Sequence, residues 1–105
     1  MKKIIYRQGD VLIERISKVN AAVAAQPITE RIILAHGEAT GHHHAIEDRD
    51  AADWWKVSED EQYLDVKTPC EVTHQEHAAI PLSPGKYKVT RQREYSPEAI
   101  RRVAD

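Results

Sequence analysis

Six histidines carry most of the chemical potential of this 105-residue chain. His36, His42, His43 and His44 fall within "LAHGEATGHHHAIE", and His74 and His77 within "THQEHAAIPLSPGKY". Neutral imidazole is the commonest protein ligand for transition metals. Side chains two apart on a strand share a face, so His42 and His44 can reach one ion from the same side of a sheet. His74 has the parity of Cys70 and Val72 and points where they point. His77, three residues on, faces the other way unless the strand ends or bulges in "QEHAA". Glu47 and Glu76 are the carboxylates placed to add an oxygen. A site drawn from His42, His44, His74, His77, Glu47 and Glu76 leaves a coordination position open, as catalytic metals require. His43 has the opposite parity to its neighbours, and His36 shares that of Leu34 but sits beside a turn. The competing reading is a solvent-exposed histidine-rich turn.

Histidines also work without metal. A neutral and a protonated imidazole form a base and acid pair near pH 7. With Arg91 or Arg93 to hold an anion, that is the equipment of a metal-free ribonuclease. A third class is a non-catalytic binding module built on "RQREYSPEAIRR". There Arg91, Arg93, Arg101 and Arg102 would clamp phosphate and Tyr95 would stack on a base, or the segment would dock a protein. Glu94, Glu98 and Asp105 dilute that charge, and pairing of the arginines with Glu94 and Glu98 is the plainer expectation. Trp54 and Trp55 are adjacent, so on a strand one must turn from the core; it either contacts a partner or ligand or is covered. Cys70, in step with Val72, reads as a small core residue. No GxSxG, P-loop or dinucleotide glycine fingerprint occurs.

The elements that must position these residues read as strands. "IIYRQGDVLIERI" is two short strands or one bulged strand, punctuated at Gly9-Asp10. "SKVNAAVAAQP" is a short helix or a loop. "ITERIILAHGE" and "HHHAIE" flank a hairpin turn, "GEATG". "DRDAAD" and "EDEQ" are charged turns on either side of the strand "WWKVS". "YLDVKTP" and "CEVTHQEH" are two strands separated, or one strand bent, at Pro69. After the Pro84-Gly85 turn a long strand carries Tyr87 and Val89 inward, with Arg91 and Arg93 continuing the same face. "SPEAIRRVAD" predicts a helix over about 97–104, with Ser96 as cap, Pro97 at the first position and Glu98 at the positive dipole end. The expectation is therefore one all-β domain spanning 1–105, a small barrel or sandwich with a short C-terminal helix.

Composition bounds the rest. Hydrophobic residues make up 41% and charged residues 30%, and net charge is -2. That suits a globular domain and argues against a broadly basic nucleic-acid surface. One cysteine excludes an internal disulfide and multi-cysteine zinc frameworks. No apolar run reaches the roughly 20 residues of a membrane span, and the N-terminal apolar stretch ends at Arg7, too early for a secretory leader. A cytoplasmic location is the expectation; exposed strand edges would allow pairing into a homodimer, but the sequence leaves the oligomeric state open. The cofactor expected is one divalent transition metal. Two histidines and a carboxylate favour iron; three histidines favour zinc, nickel or manganese. The substrate stays open, whether small molecule or protein partner.

"GEATGHHHAIE" resembles the first metal motif of the cupin superfamily, and "IPLSPGKYKV" is similar to the proline-glycine turn and strand in the second half of such barrels. The resemblance implies a small barrel with Gly37 in the motif and His42, His44 and Glu47 as ligands. No histidine follows Pro84-Gly85, so His74 or His77 would replace the ligand of the second motif. Through "QGDVL", "GHHH" and "QREYSPE" the whole chain also resembles small uncharacterised bacterial and phage proteins, a likeness that implies no activity.

Overall fold

The computed structural model describes residues 4–20, 27–36 and 41–91. Among them are nine strands: β1 (Ile5–Gln8), β2 (Val11–Ile16), β3 (Ile32–His36), β4 (His43–Ile46), β5 (Ala52–Ser58), β6 (Glu61–Val66), β7 (Cys70–Val72), β8 (Ile80–Leu82) and β9 (Gly85–Arg91). A 3-10 turn over Arg49–Ala51 leads into β5. The expected helix at 97–104, residues 37–40 of the "GEATG" turn and most of the alanine-rich segment lie outside the described residues.

Alternation sets the main sheet. Val11 and Ile13, Leu64 and Val66, and Tyr87 and Val89 are buried at alternate positions of β2, β6 and β9, as strands with one covered face require. These strands build an antiparallel five-stranded sheet in the order β1-β2-β9-β6-β5. Two hairpins, β3-β4 and β7-β8, form the opposing layer. They meet where Ala45 and Thr73 exchange backbone hydrogen bonds of 3.0 and 2.8 Å. Ile32, Leu34, Ile46, Val72, Ile80 and Leu82 from the hairpins pack with the inward residues of the main sheet in one core. Among the described residues the sheets do not close into a barrel. Of the two architectures the sequence allowed, the sandwich-like one is present.

Two departures from simple alternation matter for the site. The β3-β4 register shifts between Ile33 and Ala35. Leu34 and Ala35 are consequently both buried, while His36 at the strand end is exposed. Parity alone had kept His36 with Leu34; the bulge separates them. The Leu34 carbonyl is taken by the buried Gln62 side chain at 2.6 Å, and Gln62 Oε1 accepts from Trp54 Nε1 at 2.8 Å. β8 is the second departure. It is a three-residue strand containing Pro81, paired only to β7 among the described strands, so the missing N–H costs no ladder bond on its outer side.

Trp54 and Trp55 are each only 6% exposed. Trp54 belongs to the core, and Trp55 is covered as well, with its Nε1 lacking a partner among the described residues. Neither ring stands out as the surface contact that adjacency on a strand allowed. No helix among the described residues is long and apolar enough to cross a membrane.

Candidate metal centre

The histidines converge at one end of the seam between the two hairpins and the β1-β2 turn. His44 lies on β4 and is 3% exposed, turned inward with Ile46. β7 ends at Val72, and residues 75–77 form a bend. That early end brings His77 to the same side as His74, as the sequence allowed only if the strand broke. The rings of His44 and His74 are 4.4 Å apart between centroids, His74 and His77 4.7 Å, and His44 and His77 6.2 Å. His42 stands on the far side of His74 at 5.7 Å. Its Nδ1 pairs with Glu76 Oε1 at 3.1 Å.

The tight turn between β1 and β2 forms the floor. Gly9 has φ of 60°, a left-handed conformation that suits glycine. A Cβ there would stand 3.1 Å from His77 Nε2 and 3.4 Å from His44 Cε1. Gln8, 2% exposed, binds three ways: its Nε2 donates to the Val72 and Ala78 carbonyls at 3.1 and 2.9 Å, and its Oε1 accepts from His44 Nδ1 at 2.8 Å. Asp10 Oδ1 is 3.8 Å from His44 Nε2, and Asp10 Oδ2 accepts from Arg91 Nε at 2.8 Å. Arg91 also donates to the His36 carbonyl. Among the described residues its carboxylate partner is Asp10, 81 residues away; Glu94 and Glu98 lie outside the described residues.

Burial pushes the His44 imidazole down to about 4, helped by the neighbouring His74. His74 is lowered in the same direction, by desolvation first and then by His77 and His42. Both rings are therefore neutral near pH 7, the form in which histidine ligates metal. An acid and base pair needs one imidazole protonated, and neither of these two supplies it. His74 Nδ1 accepts from the Glu76 backbone N–H at 3.0 Å. Cys70, packed against the core, has its thiol pKa raised by burial, which keeps it protonated.

Not every predicted site residue joins. Glu47 is exposed and held by Arg31 at 2.8 Å, and His43 binds the same guanidinium and the Gly41 carbonyl. The carboxylate that follows the histidine run in sequence is therefore engaged elsewhere, because it sits on the opposite strand face. Arg93, Tyr95, Arg101 and Arg102 lie outside the described residues. Conversely, sequence reading passed over Gln8, Gly9 and Asp10, whose "QGD" reads as turn punctuation. A glutamine beside a turn, with apolar alternation on both sides, was the available signal. As the side chains stand, no group of three or more His, Cys, Asp or Glu among the described residues is arranged to hold a metal ion.

A family model described as a domain of unknown function (DUF8820) matches residues 7–92. The chain belongs to this family. The matched span runs from just before the Gln8-Gly9-Asp10 turn to just past Arg91, so the DUF8820 domain contains every element of the histidine cluster. No curated protein and no solved structure matches the chain.

Proposed function

We propose that this DUF8820 domain binds one divalent transition metal through His44, His74 and His77, with His42 and Glu76 adjoining. The observation that carries the reading is the convergence of imidazoles from β4 and from the bend after β7. An ion holding nitrogens at about 2.0–2.1 Å in tetrahedral geometry sets ring centres roughly 5 Å apart. The separations of 4.4, 4.7 and 6.2 Å bracket that figure. The ring separations and the neutral state of His44 and His74 support the reading, although the rings must turn to bring their nitrogens onto one ion. His44 is neutral and its Nδ1 is engaged by Gln8, the outer-shell contact that orients metal-binding histidines. Seating the ion requires a change at His74. Its Nδ1 must release the Glu76 N–H, or the ring must turn.

The bound ion would supply Lewis acidity or an activated water. This chain's residues would hold and orient it: His44 from a buried strand, His74 and His77 from the segment after β7. A carboxylate beside the histidines suits iron, and three imidazoles suit zinc, nickel or manganese.

The test is calorimetric titration of chelator-stripped, untagged protein with Zn(II), together with elemental analysis of the protein as purified. The expected result is one equivalent of metal, lost in His44→Ala and in His74→Ala with the far-ultraviolet circular dichroism retained. Full metal binding in both variants, or none in the parent protein, overturns the reading.

A further inference from the structure

Two electron-pair donors face each other beside the histidine cluster. Gln8 settles the first. Its amide nitrogen donates to two carbonyls, Val72 at 3.1 Å and Ala78 at 2.9 Å. Carbonyl groups cannot donate, so both amide protons are spoken for and Oε1 is the atom presented to His44. At 2.8 Å, His44 Nδ1 must then carry the proton. A neutral imidazole has one N–H, which leaves a lone pair on Nε2. The second donor is Asp10 Oδ1, 3.8 Å from that nitrogen. The other carboxylate oxygen is anchored by Arg91 Nε at 2.8 Å, and Arg91 is itself anchored by the His36 carbonyl at 2.8 Å. The carboxylate is thus held with one oxygen turned to a bare imidazole nitrogen.

We propose that Asp10 is an oxygen ligand of the histidine site, with a divalent cation bridging Asp10 Oδ1 and His44 Nε2. The inference rests on the metal-binding reading above and adds the residue that sets which ions are taken. With metal–donor distances of about 2.0–2.2 Å, a 3.8 Å gap corresponds to a donor–metal–donor angle of about 130°. The gap therefore accepts an ion with little movement of either group. A carboxylate oxygen among imidazoles favours hard and borderline divalent ions over soft monovalent copper. Gln8 is the positioning residue. It holds the proton of His44 on the nitrogen that faces away from the ion.

The test is titration of chelator-stripped protein with Co(II), followed by its visible ligand-field bands, for the parent protein, Asp10→Asn and Arg91→Leu. Asn retains an oxygen for Arg91 but removes the charge. The expected result is Co(II) affinity at least about tenfold weaker in Asp10→Asn, with shifted bands. Arg91→Leu moves the affinity less and leaves the band positions in place. Unchanged affinity and bands in Asp10→Asn overturn the Asp10 assignment while the histidine site stands. Equal losses in both variants, with the bands unmoved, also overturn it and assign Asp10 a structural role only. No cobalt spectrum in the parent protein defeats the metal reading itself.

Discussion

Acid should destabilise the metal-free protein through His44. This imidazole is 3% exposed and its pKa is lowered from 6.5 to about 4 in the folded chain. Between those values the unfolded chain takes up a proton that the folded chain refuses. Stability therefore rises with pH across this window and falls as pH drops through it. Each pH unit of difference is worth about 1.4 kcal/mol, so the full contribution is roughly 3 kcal/mol, complete below about pH 4. At pH 5 roughly 2 kcal/mol of it is already lost, before most carboxylates titrate. That is a large fraction of the 5–15 kcal/mol typical of a domain. Urea unfolding at pH 7.5, 6.5, 5.5 and 5.0 in excess chelator measures the loss, and the same series on His44→Gln isolates the His44 share. The expected parent curve steepens below pH 6.5 and the variant curve is flatter. Parallel curves, or a parent change under about 0.5 kcal/mol by pH 5, would refute the claim that His44 is buried neutral.

Two further outcomes test the turn beneath the site. Gln8→Leu strands the Val72 and Ala78 carbonyls and the His44 N–H, and should cost about 2–5 kcal/mol by denaturant unfolding; a loss below about 1 kcal/mol contradicts the buried network. Gly9→Ala places a Cβ 3.1 Å from His77 Nε2 on a left-handed backbone. It should cost about 1–3 kcal/mol and weaken Zn(II) binding in calorimetry, and an unaltered affinity would show that His77 is not a ligand.

Strand parity made much of this legible. The two-residue repeat that turns Ile46 inward turns His44 inward too, and the gap between "HHH" and "THQEH" is what a second hairpin spans. The Gly9-Asp10 turn followed from residue type, and the inward face of β9 at Tyr87 and Val89 from the same periodicity. What parity could not register were local breaks in it. The bulge at Leu34 sends His36 to solvent, and the early end of β7 returns His77 to the cluster. Glu47 had the spacing of a ligand but the wrong face, where Arg31 takes it. Asp10 and Arg91 are 81 residues apart, and only the pairing of β2 with β9, Val11 opposite Arg91, brings them together. No local pattern encodes that encounter. Gln8 was hidden for a related reason. Its three partners come from β4, from β7 and from the segment before β8, so its role exists only after the layers have packed.

Among the described residues the β3-β4 and β7-β8 hairpins share one backbone bridge, at Ala45 and Thr73, to which Thr73 Oγ1 and the Gln75 side chain add bonds to Ala45 and His43. His44 is rooted on one side of it and His74 on the other, each next to a bridging residue. Anything gripping both rings would act as a clasp across that join. The slowing of deuterium uptake at the Ala45 and Thr73 amides would then report how firmly the clasp is shut.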